Sequence, residues 1–341
     1  MVFSKTPGKS RWGGGHFQRC IHAYDNIISV ENLLEAWQEF LKGKKSRKDV
    51  QEFQLHLMEN IISLHQDLKN KTYKHGSYHA FNISDPKPRN IHKATVRDRL
   101  LHHAIYRVLY PYFDKKFIHD SYSCRLNKGT HKALERFRSF SRKVSENNIR
   151  QCWVLKCDIR KFFANIDHQV LLNILGKHIK DKDILWLFNQ IISSFNPGLP
   201  LGNLTSQLLV NIYMNEFDQF VKHKLKVKYY IRYADDFVFI SSGYKYLTYL
   251  RDRVNVFLEE KLKLSLHPNK VFIKTISSGL DFLGWVHFPK HRVLRTVTKR
   301  RMFKNLSEEN KSSYLGMLKW GNTHKIKCII ESLEINSHGS F

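Results

Sequence analysis

The sequence predicts a mixed α+β fold, with a helical region first and helices alternating with strands after it. Apolar residues recur at helical spacing in several segments, and short apolar runs typical of strands stand between them. The two kinds of segment alternate without an internal repeat. With 341 residues, the chain is long enough for about two or three domains of roughly 100–200 residues each.

Helical patterns dominate the first third of the chain. Residues 1–19 are basic and glycine-rich without the apolar core of a signal peptide, so we expect a flexible arm there. Apolar residues at helical spacing then predict helices over 33–41 and 50–68. The basic run 42–48 between them is either a solvated linker or a phosphate contact. A further helix is expected over 95–111.

Strand signals stand between and after these helices. Residues 73–91 look extended, because two prolines in this stretch prevent a continuing helix. The apolar run 153–155 predicts a buried strand that ends at Asp158, and Asp167 can cap the helix that follows. The remaining expected elements are helices over 208–220 and 247–258, a hairpin over 229–240, and strands over 271–276 and 280–286.

The charge balance favours a polyanionic partner. The chain has 57 Lys and Arg against 30 Asp and Glu, a formal net charge of +27. These basic residues are spread along the whole chain, which suits a groove that follows many phosphates; the alternative is a merely soluble basic surface. No stretch approaches the ~20 apolar residues of a membrane-spanning helix. Five cysteines without a C-x-x-C pair predict reduced thiols in the cytoplasm and no zinc site.

Two adjacent carboxylates, Asp235 and Asp236, lie in the turn of the predicted hairpin. Ionised carboxylates repel each other and are costly to bury unpaired, so this pair is either an exposed polar turn or bound to a cation. Asp158 ends a second predicted strand. If the two strands are neighbours in one sheet, the three carboxylates converge at one edge. Such oxygen ligands suit two Mg²⁺ ions, which would activate an attacking hydroxyl and stabilise a leaving oxygen.

Five motifs, in the right order and spacing, resemble those of reverse transcriptases. Residues 155–163 resemble motif A, 197–207 resemble motif B, and 233–236 are similar to the Y-x-D-D of motif C. Residues 266–270 resemble motif D, and 282–285 resemble the primer grip. The match covers most of the chain. The resemblance implies an α+β right-hand polymerase with fingers, a palm of antiparallel sheet and helices, and a short helical thumb.

The resemblance also implies a division of the chain into parts. We expect an N-terminal helical extension over 1–72, fingers over 73–150, a palm over 151–288 and a short basic thumb over 289–341. The thumb is expected to contact the template–primer duplex, with a solvated face as the alternative. Behind the palm we expect no RNase H domain and no maturase plus endonuclease region.

Roles for single residues follow from the resemblance. Asp158 and Asp235 would be catalytic and bind both Mg²⁺ ions, with Asp236 supporting them. The Ile159 carbonyl would complete the coordination. Phe163 would exclude a 2′-hydroxyl on the incoming sugar and so favour deoxynucleotides; its alternative role is core packing.

Further residues would contact the nucleotide and the primer. Lys87 and Arg89 would bind the triphosphate, which suits the bidentate donors of arginine. Lys270 would neutralise or protonate departing pyrophosphate, with a plain surface lysine as the alternative. Leu201 and Gln207 would lie at the nucleotide. The primer grip would comprise Phe282, Leu283, Gly284 and Trp285.

Motif B departs from the retroviral enzymes, which have Gln where Leu201 stands. Its L-G-N-L-T-S-Q form, together with residues 85–89, 97–103 and 121–125, is similar to the reverse transcriptases of diversity-generating retroelements. Those enzymes copy a template RNA with frequent errors opposite adenine, aided by a small helical accessory protein. An apolar side chain cannot hydrogen-bond a correctly placed nucleotide, which agrees with weaker discrimination. The alternative is that Leu201 packs beneath the site.

The sequence therefore predicts an RNA-directed DNA polymerase of the bacterial group II intron-like lineage. The primer 3′-hydroxyl would attack the α-phosphate of a deoxynucleoside triphosphate, with two Mg²⁺ ions and a template RNA, and release pyrophosphate. Three alternatives stay open: an antiphage-defence or retron-type reverse transcriptase, a non-catalytic RNA-binding scaffold, and an RNA-dependent RNA polymerase.

Overall fold

A computed structural model describes residues 23–84 and 88–332. Within these ranges it has thirteen α-helices and nine β-strands, so the predicted α+β class with antiparallel sheets is confirmed. The helices are α1 (Ala23–Ile28), α2 (Val30–Phe40), α3 (Lys48–Leu55), α4 (Leu57–Lys69), α5 (Val96–Asp114), α6 (Thr130–Val144), α7 (His168–His178), α8 (Lys182–Ser193), α9 (Leu204–Gln219), α10 (Tyr244–Leu262), α11 (Thr296–Lys304), α12 (Glu308–Leu318) and α13 (His324–Ser332). The strands are β1 (His79–Ile83), β2 (Arg89–Lys93), β3 (Trp153–Asp158), β4 (Tyr230–Tyr233), β5 (Asp236–Ser241), β6 (Phe272–Thr275), β7 (Leu280–Phe282), β8 (Trp285–His287) and β9 (Arg292–Leu294).

The N-terminal helices form where the apolar spacing predicts them, with one break. Helix α2 begins where the Ser29 hydroxyl accepts from the Asn32 backbone N–H, and it buries Trp37 and Phe40. The single helix predicted over 50–68 is wrong: it is two helices, α3 and α4. The chain bends between them at His56, whose φ of −116° and ψ of 35° lie outside the helical range.

Helix α5 confirms its predicted start and corrects its predicted end. The Thr95 side chain accepts from the Asp98 N–H and caps the helix. Pro111 was expected to end it, yet the helix continues to Asp114. Pro111 removes one backbone hydrogen-bond donor, and it lies in the last turns of the helix. The burial of Tyr110 and Phe113 keeps these turns helical.

The central sheet has the strand order β4-β5-β3-β6, with every neighbouring pair antiparallel. Its side chains alternate between two faces, as the period of a strand requires. Val154 and Val238 point to one face and pack in a core with Phe137 of α6. Leu155 and Phe237 belong to the main core on the other face, with the buried residues of α9 and α10. Helix α6 has no counterpart among the expected elements.

A second sheet carries the end of the chain. Strands β7, β8 and β9 form an antiparallel meander, so the predicted strand over 280–286 is in fact a hairpin. Its turn has Leu283 at φ 50° and Gly284 at φ 85°. Helices α11, α12 and α13 follow and share a small core with Trp285. Gly321 lies against the Trp285 ring, where an added Cβ would come within 2.0 Å of a ring carbon.

The third sheet is the hairpin of β1 and β2. Residues 85–87 of its turn, including Lys87, lie outside the described residues. Among the described residues, Cys124, Cys152, Cys157 and Cys328 are free thiols. No helix in these ranges is both long and apolar enough to cross a membrane.

Candidate active site

The strand register places the predicted carboxylates together. Asp158 ends β3 and pairs directly across the sheet with Asp236, the first residue of β5. Asp236 was expected in the hairpin turn; it belongs to the strand, and only Ala234 and Asp235 form the turn. Ala234 adopts a left-handed φ of 56°, which lets β4 turn into β5 within two residues.

Two lysines contact these carboxylates. Lys270 Nζ lies 2.6 Å from Asp158 Oδ2, and the lysine side chain is 50% exposed. Lys156 Nζ lies 3.4 Å from Asp236 Oδ2. The second carboxylate oxygen of Asp236, Oδ1, is buried and has no hydrogen-bond partner. Asp236 Oδ1 therefore lacks the hydrogen-bond donor or cation that a buried carboxylate oxygen normally has.

Burial, reinforced by repulsion among the carboxylates, raises the pKa of both Asp235 and Asp236. Burial, then repulsion by Asp158, raises the pKa of Asp235. Burial raises the pKa of Asp236 to about 7, opposed by Lys156 and reinforced by Asp158 and Asp235. Within the described ranges, no three His, Cys, Asp or Glu side chains are grouped closely enough to hold a metal ion by themselves. The donors are nevertheless all carboxylate oxygens, one of them unpartnered, and this chemistry fits Mg²⁺ completed by water and substrate oxygens.

Motif A makes close backbone contacts with motif C and with motif B. The Ile159 N–H donates to the Asp235 carbonyl at 3.3 Å, beside the carboxylates. Phe163 follows in a 3₁₀ turn and is partly buried against the main core. Its carbonyl accepts from the Leu199 N–H at 2.8 Å. Gly198, at φ 71°, approaches so closely that an added Cβ would lie 2.1 Å from the Phe163 oxygen. This packing fixes the position of Phe163 against motif B.

The fingers hairpin is bonded to motif B through Asn203. The buried Asn203 amide donates to the His92 carbonyl at 2.9 Å and accepts from the Ala94 N–H at 3.4 Å. The His92 N–H in turn donates to the Leu201 carbonyl at 3.0 Å. Arg89 begins the same strand, and its charge weakly opposes the rise in the pKa of Asp235.

The remaining predicted residues divide between exposed and buried positions. Gln207 is half-buried on α9. Phe282 and Trp285 are buried in two different cores, so their rings are unavailable to a primer. The turn at Leu283 and Gly284 is the part of the predicted primer grip that is accessible.

Three residues of the site were not predicted. Lys156 lies two residues before Asp158 on the same face of β3, a spacing that the period of a strand reveals. Arg232 is a charged residue inside the otherwise apolar strand β4, which is the signal for a buried partner. That partner, Asp218 on α9, is distant in sequence and no local pattern indicates it.

Arg232 joins the turn of Ala234 and Asp235 to helix α9. Both Arg232 and Asp218 are fully buried. The guanidinium donates to the two Asp218 oxygens at 2.7–3.0 Å, to Ser121 Oγ at 3.0 Å and to the Ala234 carbonyl at 3.2 Å. The turn that carries Asp235 is thereby anchored from below.

The protein has carboxylates on adjacent antiparallel strands of a central sheet, helices packed on both faces of that sheet and a hairpin hydrogen-bonded to motif B. This architecture is that of a right-hand polymerase. The family model described as "Reverse transcriptase (RNA-dependent DNA polymerase)" matches residues 74–287, which is more than half of the chain. The chain belongs to this family. The predicted enzyme class, RNA-directed DNA polymerase, is confirmed.

Individual relatives agree with the family. Protein YkfC of Escherichia coli (strain K12) is 25% identical over 280 residues, which span 69% of this chain and 71% of that protein. The group II intron-encoded protein LtrA of Lactococcus lactis subsp. cremoris is 25% identical over 321 residues, covering 72% of this chain and 52% of LtrA. The chain thus spans about half the length of LtrA, and the predicted similarity to the group II intron lineage is confirmed.

A solved structure supports the fold. Telomerase from Candida albicans, in complex with a TWJ fragment of telomeric RNA, superposes with a TM-score of 0.51 at 10% identity. The superposition covers 73% of this chain and 51% of the telomerase chain. At this identity the likeness concerns the fold alone.

Proposed function

We propose that this chain copies a template RNA into DNA by adding deoxynucleoside triphosphates to a primer 3′ end. The observation that carries the proposal is the register of β3 and β5, which pairs Asp158 with Asp236 beside Asp235. The incompletely partnered charge of these carboxylates supports a role in binding cations. The formal net charge of +27 supports a nucleic-acid substrate.

Asp158, Asp235 and Asp236 are the residues that would hold Mg²⁺, with the Ile159 carbonyl as a further oxygen. Bound there, two Mg²⁺ ions would activate the primer hydroxyl and stabilise the leaving oxygen. Lys270 has its ammonium at the Asp158 carboxylate and is suited to neutralise departing pyrophosphate.

The fingers and the floor of the site would select the nucleotide. Arg89, with Lys87 two residues before it in the sequence, would bind the triphosphate oxygens. Phe163, fixed by its contacts to Gly198 and Leu199, would exclude a 2′-hydroxyl on the incoming sugar.

Primer extension on a defined RNA template tests this function. The protein is incubated with a primed RNA, Mg²⁺ and either deoxynucleotides or ribonucleotides. We expect extension with deoxynucleotides only. Extension with ribonucleotides alone would identify an RNA-dependent RNA polymerase, and binding without any extension would identify an RNA-binding scaffold.

We further propose that the chain is the error-prone enzyme of a diversity-generating retroelement, working in the cytoplasm with a small helical accessory protein. The support is Leu201 in the L-G-N-L-T-S-Q motif, where retroviral enzymes have glutamine. A hydrocarbon side chain offers no hydrogen bond to a correctly placed nucleotide, so selection against mismatches weakens.

The error spectrum tests this finer proposal. Leu201→Gln should reduce misincorporation opposite template adenine, whereas the volume-conserving Leu201→Met should leave it unchanged. Equal error spectra in all three proteins would contradict the role of Leu201. The neighbouring genes give a second test, since a diversity-generating element has a template repeat and a near-identical variable repeat that differ at adenines. The absence of such a pair of repeats would favour the antiphage or retron alternative.

A further inference from the structure

A cleft of about 330 Å³ lies between α6 and the turn that joins β8 to β9. We name it the thumb-base cleft. It has walls from the palm, the second sheet and the end of α12. The residues that matter for its chemistry are Phe137, Arg138, Phe288, Lys290, Arg292 and Trp320.

The thumb-base cleft is remote from the carboxylates. Ile276, one of its wall residues, donates its N–H to the Cys152 carbonyl at 3.0 Å, beside the first residue of β3. Asp158 is the last residue of that six-residue strand. At about 3.3 Å per residue, the strand separates the two places by roughly 17 Å. The cleft also lies at the end of β8 opposite the turn of the primer grip.

The walls of this cleft carry positive charge without matching acids. Arg138, Lys290 and Lys319 are exposed, and no Asp or Glu lines the cleft. Among the described residues, no carboxylate lies within ion-pair distance of Arg138, Lys290, Arg292 or Lys319. Glu135 lies farther away, and its charge only partly offsets the lowering of the pKa of Arg292. Clustered cations of this kind repel one another until an anion binds.

Arg292 is held in place in the wall of the cleft, where its guanidinium can interact with an anion. Its guanidinium lies 5.6 Å from the Trp285 ring centroid and 5.9 Å from that of Trp320, and its Nε donates to the Trp320 carbonyl. Its Nη1 is buried and has no hydrogen-bond partner. Burial, then the charge of Arg138, lowers the pKa of Arg292. A phosphate oxygen in the cleft would compensate the charge of Arg292.

Phe288, His291 and Trp320 line the same cleft, and His131 lies next to it, stacked on Trp320. Phe288 and His291 stack at 4.9 Å with their planes 17° apart, and Trp320 stacks with His131 at 4.1 Å and 20°. Aromatic platforms beside a basic groove are typical of proteins that bind unpaired nucleotides, because every base has a face that can stack. The bases of a duplex already stack on each other. An acidic peptide would use the cations but not the rings.

A second cavity continues the basic surface along α6. It measures about 460 Å³ and shares Arg138 with the thumb-base cleft. Arg142, one helical turn further on, and Lys143 also line it, beside Glu146, which pairs with Arg150. Neither Arg142 nor Lys143 has an ion-pair partner among the described residues. We infer that the thumb-base cleft and this face of α6 bind a single-stranded RNA segment outside the polymerase site.

Fluorescence anisotropy of a labelled 12-nucleotide oligouridine RNA tests the inference. The polymerase cleft is first filled with an unlabelled RNA–DNA hairpin in excess. Arg138→Gln with Lys290→Gln should weaken binding of the labelled RNA by about tenfold or more. The slope of log affinity against log salt should fall by about 1.4, since each phosphate contact contributes about 0.7 for a single strand.

The matched control removes the same charge elsewhere. Lys245 and Lys261 are exposed on α10, on the opposite face of the central sheet. Lys245→Gln with Lys261→Gln should leave RNA affinity within about twofold of the unmodified protein. Equal losses in both double variants would mean unspecific attraction and would overturn the inference. So would equal competition by a 12-base-pair RNA duplex. Neither readout requires the chain to polymerise.

Crosslinking gives a second, independent readout. Oligouridine containing 4-thiouridine is irradiated with the unmodified protein in the presence of the same hairpin. We expect crosslinked peptides that contain Phe288 or Trp320. Crosslinks confined to the fingers and to Lys270 would overturn the inference.

Discussion

Removal of the Arg232 guanidinium is a sharp test of how the palm supports its catalytic turn. Arg232→Met keeps most of the side-chain volume and deletes the charge. The fully buried Asp218 then retains the Tyr230 hydroxyl at 2.8 Å but loses its buried cation. Breaking a buried ion pair in this way costs about 3–5 kcal/mol, because the remaining charge is left uncompensated.

The free energy of unfolding measures this cost. In urea denaturation we expect Arg232→Met to lose about 3–5 kcal/mol. The double variant Arg232→Met with Asp218→Asn should recover most of the loss, because no buried charge remains and the Tyr230 hydroxyl keeps an acceptor. A single variant within about 1 kcal/mol of the unmodified protein would refute the reasoning.

Primer extension separates stability from positioning. Arg232 Nη1 donates to the Ala234 carbonyl, and no apolar replacement can restore that bond. The double variant should therefore stay slow, with kcat reduced about 10²-fold, since small displacements of catalytic groups are costly. Activity that returns together with stability would show that Arg232 only supports the fold.

Three further predictions concern other parts of the site and the fold. Asn203→Asp removes the amide donor to His92 and should raise the KM for deoxynucleotides several-fold with little change in kcat, as steady-state kinetics would show; an unchanged KM would contradict the link between fingers and motif B. Phe163→Ala should increase ribonucleotide incorporation about tenfold or more, and unaltered sugar selection would contradict its role. Burial, then the charge of Lys44, lowers the pKa of His103 to about 4. As the pH falls from 6.5 to 4, the unfolded chain therefore binds more protons than the folded chain, and stability should fall by on the order of 2 kcal/mol. His103→Gln should flatten this dependence in urea denaturation, and an unchanged slope would refute it.

Much of the fold follows from local patterns in the sequence. The cap at Asp167 and the strand ending at Asp158 lie where residue type and spacing predict them. Helix α6 was missed although its buried residues, Leu134 and Phe137 among them, recur at helical spacing; its many basic residues make the segment polar overall. The break at His56 was missed because it interrupts an apolar pattern that continues on both sides.

The site could be predicted where sequence motifs contain its residues. It could not be predicted where contacts between distant elements bring its residues together. The carboxylates were found because their strands are short, apolar and similar to known motifs. The pairing of Arg232 with Asp218 joins a strand to a helix, and the bonds of Asn203 join the fingers to motif B. Such contacts depend on how the elements pack, which no spacing in the sequence encodes.

We propose that nucleotide addition depends on the three carboxylates Asp158, Asp235 and Asp236. The variant Asp235→Asn tests this dependence, because it keeps the shape of the side chain and removes its charge. We expect primer extension to fall by at least about 10³-fold while RNA affinity stays within twofold. The control Asp252→Asn removes an exposed carboxylate from α10 and should extend primers normally. Full extension by Asp235→Asn would contradict the account.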